Sequence, residues 1–168
     1  MGFVLILGGA RSGKSAFANR LGLQSGRAVT FIATATADDE EMAERIGRHR
    51  AERSSSWTTV EAPLELRDAI AARPADDFLI VDCLTLWVSN LLGASRLPDD
   101  IRDSCDAAAE EMATRDGVVV TNEVGLGIVP ANPLARTFRD TLGRVNAAFA
   151  MRAERSLLMV AGRSLELA

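Results

Sequence analysis

Short apolar runs recur along the chain and alternate with longer segments of helical periodicity. The apolar runs lie at residues 3–7, 28–33, 78–81, 118–121 and 157–161. Runs of this length without polar alternation are typical of strands covered on both faces, as in a parallel sheet. Helical spacing of apolar residues occurs between them, at residues 15–23, 38–53, 63–72, 101–115 and 133–152. The alternation predicts an α/β fold with a doubly wound, mostly parallel sheet flanked by helices.

Length and composition predict a single domain over residues 1–168. A chain of 168 residues, 48% of them hydrophobic, can bury one substantial core and is too short for two ordinary domains. Residues 93–100 and the glycine- and proline-punctuated residues 125–133 predict loops. Because ligand-binding loops of such folds gather at the carboxyl ends of the strands, we expect the polar motifs that follow the strands to converge.

The charge balance and the cysteines narrow the class of partner. A net charge of −4, from 19 basic and 23 acidic residues, offers no basic stripe for nucleic acid and no general attraction to anionic lipid. Cys83 and Cys105 form neither a CxxC pair nor a zinc cluster, so we expect reduced thiols. The apolar run at residues 3–7 is too short for a signal-peptide core. We therefore expect a cytoplasmic protein without a membrane anchor.

A phosphate-binding loop is the most specific motif. Residues 8–15 satisfy G-x-x-x-x-G-K-[ST] and lie between a predicted strand and a predicted helix. Glycines let successive backbone N–H groups point at phosphates, and the helix N-terminus adds partial positive charge. Lys14 is expected to reach the β- and γ-phosphates, and Ser15 to ligate Mg²⁺. The motif predicts a P-loop NTPase-type, RecA-like domain, and its residues are Gly8, Gly9, Ala10, Arg11, Ser12, Gly13, Lys14 and Ser15.

Two further residues carry candidate chemistry. Asp82 closes an apolar run and is either a second carboxylate near the metal or a plain helix cap or turn residue. His49 is the only histidine, in a segment that opens acidic and turns basic. That order suits a solvated helix with complementary ends, yet a neutral imidazole beside arginines is also a competent nucleophile toward phosphorus. At this point a kinase of some small alcohol and a nucleotide-dependent regulatory or motor domain both remain open.

Longer motifs point to one family. They lie at residues 8–15, 32–35, 45–46 with 49–50, 57 followed by 61, 82–92, 121–130, 132, 138–140 and 143–146. On these motifs the chain resembles, almost from end to end, the bifunctional adenosylcobinamide kinase/adenosylcobinamide-phosphate guanylyltransferases of cobalamin biosynthesis. The resemblance implies phosphorylation of adenosylcobinamide by ATP or GTP. Transfer of GMP from GTP to that phosphate follows, with His49 at the position of the GMP-histidine intermediate.

The resemblance also implies binding residues and an assembly. It places nucleotide contacts beyond the phosphate loop at Ala33, Thr34, Ala35, Arg50, Ala51, Glu52, Arg53, Glu61 and Asp82. Glu61 follows a strand-like run containing Trp57, so the residues alone also allow an exposed acid at a strand end. The small-molecule partner is the corrinoid substrate, with Mg²⁺ carried by the nucleotide. A homotrimer is expected on the same ground.

The residues after the fourth apolar run are the least specific. Glu123 either orients the substrate hydroxyl or a metal-bound water, or anchors the loop at Gly125 to Gly127. Residues 125–130 carry no side chain suited to proton transfer. We therefore assign them shape rather than chemistry and expect them to form a wall of the corrinoid site.

Overall fold

The computed structural model describes residues 2–37, 39–51 and 53–167. Within these segments seven strands form one sheet, namely β1 (Phe3–Gly8), β2 (Val29–Ala33), β3 (Thr58–Glu61), β4 (Phe78–Asp82), β5 (Gly117–Val120), β6 (Arg155–Val160) and β7 (Arg163–Leu167). The helices are α1 (Lys14–Gln24), α2 (Glu40–Ala51), α3 (Leu66–Ala71), α4 (Leu84–Gly93), α5 (Pro98–Ala113) and α6 (Pro133–Arg152).

The sheet has the order β3-β2-β4-β5-β1-β6-β7, and only the β6–β7 pairing is antiparallel. The carboxyl ends of the parallel strands therefore meet at one edge. β1 lies between β5 and β6, and β4 lies between β2 and β5. The segments that follow β1, β2, β4 and β5 thus start side by side, which confirms the predicted mostly parallel α/β fold and sets the position of the site.

Two apolar layers cover the sheet. On one face the strands pack against α3, α4, α5 and α6, in a cluster that includes Trp87 and Phe149. Phe149 meets Phe3 edge to face, with 6.0 Å between ring centroids. On the other face α1 packs on a smaller cluster around Ile6, Phe31 and Ile80. Burial on both faces explains why the sequence of these strands shows apolar runs instead of alternation.

Three elements were not predicted as such. α4 is apolar nearly all round, with Leu84, Trp87, Val88 and Leu91 buried, so it shows no amphipathic stripe. β7 is exposed along its whole length, and a two-residue turn at Ala161 and Gly162, both with positive φ, returns the chain to β6. β3 was seen only as a strand-like run. Short exposed strands of this kind carry little periodicity.

Several boundaries also differ from the prediction. The predicted loop at residues 93–100 is wrong at its end, because Pro98 occupies the first helical position of α5. The predicted helix 38–53 is observed as α2, Glu40–Ala51, while residues 38 and 52 lie outside the described part of the chain. Cys83 and Cys105 are both free and buried, as expected. None of the described helices is long and apolar enough to cross a membrane.

Candidate active site

The phosphate loop joins β1 to α1 and leaves the helix N-terminus open. Gly13 is the N-cap of α1, with φ 98°, and it provides no side-chain cap. The first amides of α1 are therefore available to an anion. Gly8 has φ 151°, and a Cβ there would overlap the carbonyl oxygen of Met159 on the neighbouring β6. The backbone of the loop thus requires glycine at the two positions where the motif has it.

Lys14 is buried inside this loop. Its Nζ donates to the carbonyl oxygens of Gly8, at 2.9 Å, and Gly9, at 2.7 Å. A third contact, 3.5 Å long, reaches Ser12 Oγ. These bonds hold the ammonium group where the loop curls, so its charge adds to that of the helix N-terminus.

Ser15 and Asp82 meet at the end of the loop. Ser15 Oγ donates to Asp82 Oδ2 at 3.2 Å, across 67 residues of sequence. Asp82 makes no capping bond to α4, whose N-cap is Cys83 without a side-chain bond. A helix-capping bond from Asp82 is therefore not observed, and its other two interpretations, as a metal ligand and as a turn residue, stay predictions. A hydroxyl and a carboxylate side by side are the hard oxygen ligands that suit Mg²⁺ together with phosphate oxygens.

No group of three or more His, Cys, Asp or Glu side chains able to hold a metal occurs among residues 2–37, 39–51 and 53–167. Two oxygen ligands without a closed protein cage match the way Mg²⁺ is bound in phosphoryl-transfer enzymes, where the nucleotide completes the coordination. The residues present therefore fit a metal that arrives with its nucleotide.

Thr34 fastens the ends of β2 and β4 together. Its buried hydroxyl donates to the carbonyl oxygen of Cys83 at 2.7 Å and accepts from the Cys83 amide at 2.8 Å. Asn90 on α4 donates to the Thr34 carbonyl at 2.8 Å. The Thr34 side chain thus holds the chain directly after Asp82, while Ala33 and Ala35 on either side line the cleft described below.

An arginine cluster faces the same edge. The Arg53 guanidinium lies 3.4 Å from the centroid of the Phe31 ring. Burial lowers the pKa of Arg53, the Asp82 charge opposes this shift, and Arg50 adds to it. Arg50 also lies 3.9 Å from Glu61, at the exposed end of β3. Exposed pairs contribute little stability, so this pair orients two groups at the rim and does little to hold the fold.

His49 lies in the last turn of α2, between Arg48 and Arg50. The three basic side chains at the helix C-terminus interact favourably with the helix dipole, as expected for a solvated helix with complementary ends. His49 is nevertheless half-buried, and it faces the same cleft as the phosphate loop. The structure therefore brings the candidate nucleophile and the phosphate-binding residues to one place.

This cleft has a volume of about 910 Å³. Most of the predicted site residues line it, namely Ala10, Arg11, Ser12, Gly13, Lys14, Ser15, Ala33, Ala35, His49, Arg50, Arg53, Glu61 and Asp82. Gly8, Gly9, Thr34 and Ala51 do not line it, and Glu52 lies outside the described residues. Sequence reasoning missed Thr85 and Asn122, which also line it. Thr85 Oγ1 accepts from the Asn122 amide at 2.8 Å. The only sequence signal that Asn122 belongs to the site was its position directly after a predicted strand.

Comparison with known proteins identifies the family. The family described as cobinamide kinase/cobinamide phosphate guanyltransferase matches residues 4–167. The chain belongs to this family. That membership decides between the predicted functions: the protein is a bifunctional kinase and guanylyltransferase of adenosylcobalamin biosynthesis that uses nucleoside triphosphates.

Two curated relatives show how much of the chain is shared. The bifunctional adenosylcobalamin biosynthesis protein CobP of Pseudomonas aeruginosa is 45% identical over 166 residues, which cover 97% of this chain and 95% of the relative. The protein of the same description, CobU, from Salmonella typhimurium is 42% identical over 175 residues, with 95% of this chain and 96% of the relative covered. The cobinamide kinase/guanyltransferase family is thus matched over nearly the whole length.

Solved structures show the fold alone. The RadB recombinase is 16% identical and superposes with a TM-score of 0.51, covering 94% of this chain and 73% of its own. An ATPase of a bacterial type III secretion system is 10% identical, with a TM-score of 0.53, and covers 98% of this chain and 56% of its own. The likeness confirms the predicted P-loop, RecA-like fold for this family member.

Glu123 follows β5 and contacts the phosphate loop through the backbone. Its amide donates to the Gly8 carbonyl at 3.2 Å. Its carboxylate accepts from the Gly125 amide. One of the two predicted roles, anchoring of the loop at Gly125, is therefore observed. The other role, orientation of a substrate hydroxyl, stays a prediction.

Proposed function

We propose that one cleft carries both reactions of the family, with Lys14, Ser15 and Asp82 holding the triphosphate and His49 serving as the guanylyl acceptor. One observation carries the proposal, namely that His49 lines the same cleft as these three residues. A nucleotide bound by the phosphate loop would then offer its γ-phosphate to a bound alcohol and its α-phosphate to the histidine.

In the kinase step, the hydroxyl oxygen of adenosylcobinamide attacks the γ-phosphorus of ATP or GTP. The new P–O bond forms as the bond to the β-phosphate oxygen breaks, the nucleoside diphosphate leaves, and the hydroxyl proton is released. Lys14 and the amides at the start of α1 bind the β- and γ-phosphate oxygens, and this charge stabilisation carries most of the rate. Ser15 and Asp82 would hold Mg²⁺, which supplies positive charge to the same oxygens.

In the guanylyl step, a ring nitrogen of His49 attacks the α-phosphorus of GTP. A P–N bond forms, the bond to the β-phosphate oxygen breaks, and pyrophosphate leaves. A phosphate oxygen of adenosylcobinamide phosphate then attacks the same phosphorus, the P–N bond breaks, and free imidazole is restored with adenosylcobinamide-GDP as product. The histidine divides one difficult displacement into two.

The arginines around His49 support this step. Arg50 and Arg53 line the cleft and carry charge to a triphosphate that must lose pyrophosphate. Arg53 is fixed over Phe31, so its guanidinium is already oriented when the nucleotide binds. Glu61 at the end of β3 would contact the nucleoside from the same rim.

The test is covalent labelling with GTP carrying label at its α-phosphate. We expect acid-labile, base-stable label on the protein, and none on the His49→Ala variant, while that variant keeps kinase turnover of cobinamide. GTP labelled at the γ-phosphate serves as the control and should leave no label on the chain. Label that persists in the His49→Ala variant would contradict the assignment of the nucleophile.

The assembly and the compartment are part of the same proposal. We infer a homotrimer in the cytoplasm, supported by the family membership and by the two free, buried cysteines. Analytical ultracentrifugation of the full chain checks the assembly. A mass of three chains is expected, and a monomer at micromolar concentration would contradict it.

A further inference from the structure

Residues 124–131, called here the apolar loop, present hydrophobic side chains to solvent directly after β5. Leu126 is 86% exposed, Ile128 97% and Val129 61%. Val124 and Leu134, at the start of α6, are exposed beside them. Several exposed apolar side chains so close in sequence are typical of a binding surface.

The apolar loop is held at its start. The Asn122 amide donates to Thr85 Oγ1 at 2.8 Å, and the Asn122 carbonyl accepts from Asn146 Nδ2 at 3.0 Å. Asn146 Oδ1 in turn accepts from the Thr121 hydroxyl at 2.7 Å. Thr121 and Asn146 are buried, so these bonds form in a low-dielectric interior, where they are stronger than in water.

Its end is held as firmly. Arg136 on the first turn of α6 donates to the carbonyl oxygens of Pro130, at 2.9 Å, and Ala131, at 2.6 Å. Asn132 caps α6 by accepting from the Leu134 amide at 2.7 Å. An irregular segment anchored at both ends has fewer accessible conformations, which lowers the entropy cost of binding to it.

The apolar loop begins beside the phosphate loop. Glu123, one residue before it, donates its amide to the Gly8 carbonyl, and Asn122 lines the cleft. The cleft includes charged groups that suit a nucleotide, among them Lys14, Arg53 and Asp82. The acceptor named in the family description, cobinamide, needs a different surface, because a corrinoid is a broad macrocycle whose rim carries methyl groups and uncharged amide arms.

We propose that the apolar loop is the docking surface for the corrinoid acceptor, with Leu126, Ile128 and Val129 contacting the rim of the macrocycle. The loop contains no ionisable residue from 124 to 131, which suits an uncharged periphery. Docking there places the acceptor arm beside Asn122, which lines the cleft that holds the nucleotide in the proposed function. This inference rests on the proposed function, since it needs the phosphate loop to hold the donor.

The experiment compares the double variant Leu126→Ser/Ile128→Ser with Leu23→Ser, an equally polar change at a 64% exposed leucine in the last turn of α1. We measure KM for cobinamide at saturating nucleotide, KM for GTP in the labelling of His49 without corrinoid, and binding of cobinamide alone by equilibrium dialysis. The double variant should raise KM and Kd for cobinamide on the order of tenfold, because two apolar side chains lose their contact. Leu23→Ser should change neither.

Several results separate failure of this inference from failure of the proposed function. Cobinamide affinity within twofold of the parent, with normal labelling of His49, overturns the docking surface alone. A changed molecular mass in ultracentrifugation with unchanged cobinamide affinity assigns the apolar loop to a contact between copies of the chain, and it also overturns the inference. Loss of GTP labelling in the parent protein would instead overturn the proposed function.

Discussion

The phosphate loop and the apolar loop leave neighbouring strands at the same edge of the sheet, yet they are built in opposite ways. Residues 8–15 bury Lys14 and Ser12 and leave the first amides of α1 without a side-chain cap. In residues 124–131, backbone polar groups form the anchoring hydrogen bonds and apolar side chains are exposed to solvent. In the proposed function, one edge of the sheet therefore supplies a charged surface for the nucleotide donor and an apolar surface for the corrinoid acceptor.

The largest expected effect comes from breaking the charged loop. Lys14→Met removes the ammonium group and should lower both kinase turnover and GTP labelling by about 10³-fold, because both steps need charge on the same phosphates. Cobinamide binding in the absence of nucleotide should be unchanged. Both activities are followed by product chromatography, and a variant that loses kinase turnover but labels normally would show that the two steps do not share the loop.

Two matched asparagine substitutions, one on each side, test the comparison between the two loops, and we expect effects of intermediate size. Asn146→Ala removes the hydrogen bonds to the Thr121 hydroxyl and the Asn122 carbonyl at the start of the apolar loop. Asn90→Ala removes the hydrogen bonds to the carbonyls of Thr34 and Pro63 on the nucleotide side. Each change should lower the free energy of unfolding by about 2 kcal/mol, since buried polar partners lose their bonds. Urea unfolding measures this.

The two amide variants should differ in which ligand they affect. We expect Asn146→Ala to raise KM mainly for cobinamide and Asn90→Ala to raise KM mainly for the nucleotide. Steady-state kinetics with each substrate varied in turn provides the measurement. Equal effects of both variants on both substrates would mean that the loops are not independent.

The smallest expected effect is at the amino ends of the parallel strands, on the edge of the sheet opposite to the two loops. It tests whether either loop depends on that edge. Asp116 precedes β5 and accepts from Arg27, at 2.6 Å, and from the Gly2 amide, at 3.0 Å. The bond from Arg27, with that from Gly2, lowers the pKa of the Asp116 carboxyl. A lowered pKa in the folded state stabilises the protein above the ordinary pKa of aspartate and loses this effect as the pH falls through the folded value.

Asp116→Asn should therefore lower the free energy of unfolding by less than about 1 kcal/mol at pH 7, because the pair is partly exposed. The difference from the parent should shrink as the pH falls below about 4. Chemical unfolding at several pH values measures it. A difference that grows toward low pH would contradict the assigned direction, and a change in either KM would contradict the separation of this edge from the site.

The phosphate loop could be predicted from the sequence because Gly8 and Gly13 are required by the local backbone geometry, and because Lys14 and Ser15 are the residue types that suit phosphate and Mg²⁺. His49 was singled out as the only histidine, beside arginines, and the structure places it in the same cleft. Its role as the nucleophile came from the family resemblance and stays a prediction. The hydrogen bonds that join Asn122 to Asn146 and to Thr85 were not predicted, since Asn146 and Asn122 are 24 residues apart and Asn122 and Thr85 are 37 apart. Such partners are set by how α4, β5 and α6 pack, and no short pattern encodes that.

The fold shows the same division. Strands β1, β2, β4 and β5 were predicted because burial on both faces makes them continuously apolar, and β6 was predicted from the apolar run that includes its buried residues. α4 was missed because burial on most sides erases its periodicity, and β7 because it is exposed throughout. Local patterns thus predicted the elements with one dominant environment, and they failed where tertiary packing sets the environment.

The two cysteines have a practical consequence for labelling. Burial raises the pKa of Cys83, helped by the Asp82 charge, and of Cys105, helped by the Asp106 charge, to about 12 in both cases. Neither thiol presents a thiolate to alkylating reagents at neutral pH, and both are buried. The chain is therefore a natural background for single-site probes: a Leu126→Cys substitution would place one reactive thiol on the apolar loop, where a maleimide fluorophore would report on its surroundings without removal of any native cysteine.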